Sequence, residues 1–137
     1  MTDVHADTPR AAVRELWPLL SVRSMDASLG FYRDQLGFEV AGTAARDGQV
    51  YWCRLRRGGA CIMLQQFDAP GLEVVAEGHD ALYLICEDAD AIFEELTGRG
   101  VDVKAPTVAE YGMKQLFVPE PDGRNLIFES PTADWAG

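Results

Sequence analysis

The chain has 137 residues, 47% of them hydrophobic and 25% charged, a size and composition that fit one ordinary domain with a real core and exclude a disordered or membrane-embedded segment. Lys and Arg number 12 against 22 Asp and Glu, a formal net charge of -10. That balance repels nucleic acid and anionic lipid and draws cations close; the plainer reading is that it serves solubility alone.

Residues 1–12 are polar, interrupted by Pro9, and read as an N-terminal arm, with residues 13–137 as a single domain. Leu16 to Val22 is a short apolar run expected to form a buried strand. Ser24 then stands as an N-cap with Asp26 in the first helical turn, and Met25, Leu29, Tyr32 and Leu36 recur at helical spacing up to Gly37, a left-handed C-cap. Phe38 opens the next strand. Trp52, Arg54 and Arg56 alternate with Cys53 and Leu55, and Arg57-Gly58-Gly59 turns the chain into the apolar run Ala60 to Leu64, a β-hairpin.

Residues 69–78 lapse into Asp, Pro, Gly and Glu and read as a linker. The order then repeats. Ala81 to Cys86 is a strand, Asp88 caps a helix with Ile92, Phe93 and Leu96 inward, Gly98 and Gly100 end it, and Val101 and Val103 resume extended structure. Leu116 to Val118 and Asn125 to Glu129 flank the turn Pro119 to Gly123. The predicted architecture is α+β, with two βαβββ modules (about 13–68 and 79–131) related by duplication at an offset of about 64 residues. Cys53, Cys61 and Cys86 are odd in number and lie in apolar or alternating runs, as reduced core or strand residues do. With no apolar run near the ~20 residues of a membrane helix and no secretory start, the expectation is a cytoplasmic protein without membrane partners.

The run Ser28-Leu29-Gly30-Phe31-Tyr32-Arg33-Asp34-Gln35-Leu36-Gly37-Phe38, then Tyr111-Gly112-Met113, then Glu120-Pro121-Asp122-Gly123-Arg124-Asn125 resembles the vicinal-oxygen-chelate superfamily in order and spacing. That family covers glyoxalase I, extradiol dioxygenases, fosfomycin-modifying enzymes and bleomycin resistance proteins. The resemblance runs from about Leu16 to Pro131; it departs at Glu120, where Asp is usual before Pro-Asp-Gly. It implies a curved mixed sheet around a cleft and a homodimer with modules paired across subunits.

In the metal-dependent members His and Glu on the first and last strand of each module bind the metal. The matching positions here are Trp17, Met63, Ala81 and Ile127, whose side chains supply no competent donor set for zinc, iron or manganese. The histidines are His5 and His79. A displaced site using His79 and Glu129 is the alternative, with a loop histidine and a solvated strand end as the plainer reading. The expectation is therefore no metal, no cofactor and no catalytic residue.

Alternation places Trp17, Leu19, Ser21, Cys61, Met63, Gln65, Trp52 and Arg54 on the cleft face of the first module, and Ala81, Tyr83, Ile85, Gln115, Phe117, Ile127 and Glu129 on that of the second. The candidate ligand-binding residues are Trp17, Leu19, Trp52, Met63, Tyr83, Phe117, Ile127 and Glu129. The function expected is metal-independent sequestration of a small aromatic antibiotic, cationic or neutral, as in bleomycin resistance proteins. Two other classes stay open: a glyoxalase- or dioxygenase-like enzyme with a displaced metal or metal-free chemistry, and a regulatory domain that binds a metabolite.

Overall fold

The structure is a computed structural model that describes residue 11 and residues 15–66 and 81–135. Most of the expected arm, the linker at 69–78, His5 and His79 lie outside the described residues. Strand β1 (Leu19–Val22) leads to Ser24, whose hydroxyl accepts from the Ala27 amide at 3.1 Å and starts helix α1 (Met25–Leu29). The helix continues as a π-helical turn (Gly30–Gln35), in which the Leu36 amide donates to the Phe31 carbonyl at 2.9 Å. That wider turn carries an extra residue, so Phe31 and Tyr32 both face inward, while Leu29, expected on the buried stripe, is only half-buried.

Strands β2 (Glu39–Arg46) and β3 (Gln49–Arg57) are joined by Asp47-Gly48, both with positive φ, at 52° and 79°. These are the angles a two-residue hairpin turn needs. Strand β4 (Ala60–Gln66) runs antiparallel to β3 and parallel to β1, which gives a mixed sheet of order β1-β4-β3-β2.

The second half repeats the plan with β5 (Ala81–Ile85), α2 (Ala89–Gly98), β6 (Thr107–Val108), β7 (Met113–Pro119) and β8 (Asn125–Pro131), in a sheet of order β5-β8-β7-β6. Asp88 caps α2 by accepting from the Asp90 and Ala91 amides at 2.9 and 3.3 Å. Extended pairing does not resume at Val101, as the alternation suggested. The Val101 amide instead donates to the Leu96 carbonyl at 3.0 Å, closing the helix end behind Gly100 (φ 83°), and the strand begins only at Thr107. Leu19 pairs with Met63 and Tyr83 with Ile127, so the duplication offset is 64 residues (19 to 83, 63 to 127).

Both sheets turn one face to a shared core. Leu20, Val22, Leu55 and Leu64 from the first meet Leu116, Val118, Leu126 and Phe128 from the second, with Leu36 and Leu96 from the helical segments. Each such side chain contributes roughly 1.5–3 kcal/mol of burial. Polar contacts also tie the halves. Arg57 donates to Glu95 with Nη1 at 2.8 Å and Nη2 at 3.1 Å.

Glu120 provides a deeper tie. Its Oε1 accepts from the Asp122 and Arg124 amides at 2.5 and 3.3 Å, and its Oε2 accepts from Arg124 Nη1 and from the Tyr32 hydroxyl, both at 2.9 Å. Arg124 in turn donates to the Ser21 carbonyl in β1. Where the resemblance leads one to expect Asp, the longer Glu both holds its own turn and reaches the first module. Burial, and next the Glu120 charge, push the Tyr32 phenol well above its ordinary range and keep it a donor.

Candidate ligand-binding faces

Strand pairing fixes which side chains share the faces turned away from the core. On the first sheet Leu19, Met63, Arg54 and Gly42 form one row, with Ser21, Gln65 and Trp52 in the next. On the second, Tyr83, Ile127 and Phe117 form one row and Ile85, Glu129, Gln115 and Thr107 the next. The intervening residues Leu64, Cys53, Leu126 and Leu116 are in the core. Seven of the eight candidate residues are thus divided between two faces, Leu19, Trp52 and Met63 on the first and Tyr83, Phe117, Ile127 and Glu129 on the second, and Trp17, just before β1, joins the first through its contact with Arg54. The reason is physical: both sheets contribute their other faces to one core, which directs these faces outward.

On the first face the Pro18 carbonyl accepts from the Met63 amide at 2.8 Å and anchors the segment that carries Trp17. The Trp17 indole donates to Glu15 Oε1 at 2.9 Å, and the Arg54 guanidinium lies 4.5 Å from the centre of its ring. Glu15 also accepts from Arg56 at 2.9 Å; the Trp17 bond first, and Arg56 next, hold its carboxyl below the ordinary range. Leu19 is exposed, whereas Met63 and Trp52 are half-buried. The Arg54 Nε is buried without a hydrogen-bond partner among the described residues.

The second face is more open. Tyr83 and Phe117 are 51% and 56% exposed, with Ile127 buried between them. Beside this row sits Glu129, only 7% exposed, which corrects its reading as a solvated strand end. Its Oε2 accepts from the Tyr111 hydroxyl and Gln115 Nε2, both at 3.0 Å, and Gln115 Nε2 is also 2.7 Å from the Tyr111 oxygen. Burial first, then the bond to Glu129 and its charge, raise the Tyr111 phenol and hold it as a donor.

The Tyr111 ring meets Trp135 edge-on at 5.8 Å. Gly112 makes this possible, because a Cβ there would lie 2.7 Å from backbone atoms of Asp134 and Trp135. Sequence reasoning named Tyr111 only as part of a motif and missed Trp135. An aromatic residue in an otherwise small and polar tail was the available signal.

A groove of about 540 Å³ lies at the end of the second sheet, between Val103, Lys104 and Thr107 and the β7–β8 turn, and Phe117 is the one candidate residue that lines it. Glu129 is level with Ile85, at the end of β5 farthest from Ala81, and its proposed metal partner His79 lies outside the described residues. No group of three or more His, Cys, Asp or Glu side chains among the described residues is placed to hold a metal ion. The side chains at Trp17, Met63, Ala81 and Ile127 do not fit one either, having no oxygen or imidazole donor.

Two half-cup sheets of βαβββ plan, opening aromatic faces outward, define a class of fold, and the sequence agrees. Residues 15–128 match the Glyoxalase/Bleomycin resistance protein/Dioxygenase superfamily, and the chain belongs to that family. Similar solved structures include TnmS3, an antibiotic binding protein from Streptomyces sp. CB03234, with 24% identity, TM-score 0.67, and coverage of 90% of this chain and all (100%) of that one. A bleomycin resistance determinant encoded on the transposon Tn5 has 22% identity and TM-score 0.68 over 87% of this chain and 98% of its own. TioX from Micromonospora sp. ML1 has 20% identity and TM-score 0.68 over 87% and 100%. At these identities the likeness is one of fold. No curated protein sequence matches the chain.

Proposed function

We propose that the chain is a homodimeric, metal-independent protein that binds and sequesters a small aromatic antibiotic, cationic or neutral, in the cytoplasm and confers resistance on the cell that makes it. The observation that carries this reading is the exposure of Trp17, Leu19, Tyr83 and Phe117 on the open faces, at or beside positions where metal-dependent relatives place ligands. An exposed ring on a rigid strand stacks on a planar ligand with little loss of rotamer freedom. The net charge of -10 raises the local concentration of a cation. Bound drug is kept from its target without being altered. TnmS3, an antibiotic binding protein, and the bleomycin resistance determinant of Tn5 share this fold and support the antibiotic class of ligand.

The sides of the edge strands β1 and β5 that have no strand partner among the described residues, together with the outward faces, support a dimer, in which the first face of one subunit closes over the second face of its partner. Thermal shift against a panel of aromatic and DNA-damaging antibiotics tests the reading, together with elemental analysis of the purified protein. Stabilisation by at least one compound and no stoichiometric transition metal are expected. About one metal per subunit, lost in Glu129→Ala or His79→Ala, would overturn the metal-independent assignment.

A further inference from the structure

Glu129 differs in its company from Glu120, which is also buried. Glu120 has Arg124 against it at 2.9 Å, whereas Glu129 is held by a phenol and an amide and forms no ion pair among the described residues. Both donors converge on Oε2, and Oε1 receives none among the described residues. A carboxylate so placed, 7% exposed on a face of apolar and aromatic side chains, is a costly arrangement unless a cation reaches it.

The surroundings suit such a visitor. Tyr83, Phe117, Tyr111 and Trp135 keep 51%, 56%, 48% and 40% of their surfaces exposed, so a cation can approach between ring faces without displacing the core. Ring faces attract cations, and the attraction strengthens where water is excluded. Tyr111 and Gln115 hold the carboxylate in one orientation, so little ordering remains when a ligand binds.

We propose that the Glu129–Tyr111–Gln115 cluster is the seat for a positively charged nitrogen of the ligand, an ammonium or amidinium joined to a planar ring that lies over Tyr83 and Phe117. This assigns the polarity and orientation of the ligand and rests on the binding function proposed above. The carboxylate supplies the charge, the rings supply the walls, and the polar end of the ligand points toward β8.

Three soluble probes of one shape separate the possibilities: 1-naphthylmethylammonium, 1-naphthalenemethanol and 1-naphthylacetate. Each is titrated calorimetrically into the full-length protein, wild type and Glu129→Gln, the variant that keeps an acceptor oxygen for Tyr111. Wild type should bind the ammonium at least about tenfold more tightly than the alcohol and the acetate most weakly. Glu129→Gln should remove that preference, bringing the ammonium down to about the affinity of the alcohol for the same variant. Tyr111→Phe, which frees the carboxylate from one restraint, should reduce the preference by a smaller factor.

Should Glu129→Gln keep the tenfold preference, the charge is read elsewhere and the seat is wrong, although the binding function stands. Equal affinity of wild type for ammonium and alcohol overturns the seat in the same way. Binding of none of the three overturns the seat and the ring-stacking function together. Amide shifts in nuclear magnetic resonance give an independent check: the Gln115 side chain should move with the ammonium and not with the alcohol.

Discussion

Tyr32 and Glu120 show how one residue can join parts of the chain that are far apart in sequence, here by 88 positions. Glu120 was legible as a turn residue that departs from the family pattern. Its burial against Tyr32 was not, because nothing local marks which distant hydroxyl a buried carboxylate will meet. Tyr32→Phe removes a hydrogen bond to a charged group and should lower stability by about 2 kcal/mol in urea denaturation, with little change in the far-ultraviolet spectrum. A loss below about 0.5 kcal/mol would mean that the carboxylate is satisfied without it.

Asp122 beside it behaves differently. Burial first, and the Glu120 charge second, raise its carboxyl above the ordinary range, so the folded protein holds that proton more tightly than the unfolded chain does. The stability contributed is fully present below the unfolded pKa and is lost as pH rises through the folded one. Asp122→Asn keeps an oxygen for the Arg23 amide at 3.4 Å. The variant should therefore denature at higher urea than wild type near pH 7 and show no gain near pH 3, below the ordinary Asp range. A lower midpoint near pH 7 would show that the charge is stabilising.

At the scale of elements, period-two alternation was sufficient to sort strand faces: Tyr83 and Ile127, and Met63 and Arg54, read as sharing a face, stand opposite one another on paired strands, a register that alternation alone does not give. Helical period was less faithful. The π-helical turn at Gly30–Gln35 inserts a residue, and an even 3.6-residue rhythm cannot reveal where that happens. The Asp47-Gly48 hairpin was available as a turn signal and went unread; Trp135 depends on a tail crossing Gly112, which no periodicity encodes.

Two glycines separate backbone conformation from close approach. Gly48→Ala meets nothing within 4 Å and should cost only the strain of positive φ, about 1 kcal/mol. Gly112→Ala carries that strain and also runs into the Asp134–Trp135 backbone at 2.7 Å, adding about 1–3 kcal/mol and shifting the Tyr111–Trp135 contact. Thermal denaturation of both variants with Trp emission spectra checks the difference. Equal losses would mean that the tail gives way freely.

For the whole molecule, the duplication and the family were legible because several motifs fall in order over most of the chain, and the matching region 15–128 bears this out. A single cleft was expected from eight residues, and the chain instead presents two outward faces. Alternation tells which residues share a side of one sheet but carries no information on how two sheets lie against each other. That arrangement is why assembly matters to the function proposed. Sedimentation at micromolar concentration should give a dimer; a monomer would leave Trp17 and Tyr83 on separate, uncovered surfaces.

Stoichiometric binding without chemistry is tested by titrating intrinsic Trp fluorescence with an aromatic, cation-bearing antibiotic of the bleomycin class, the drug then being recovered and weighed by mass spectrometry. Saturable quenching, a salt-dependent affinity, weakening by roughly 1–2 kcal/mol in Trp17→Ala and Tyr83→Ala, and drug recovered unchanged in mass are expected. Drug recovered with altered mass in proportion to protein and time would contradict binding without chemistry and make the chain an enzyme.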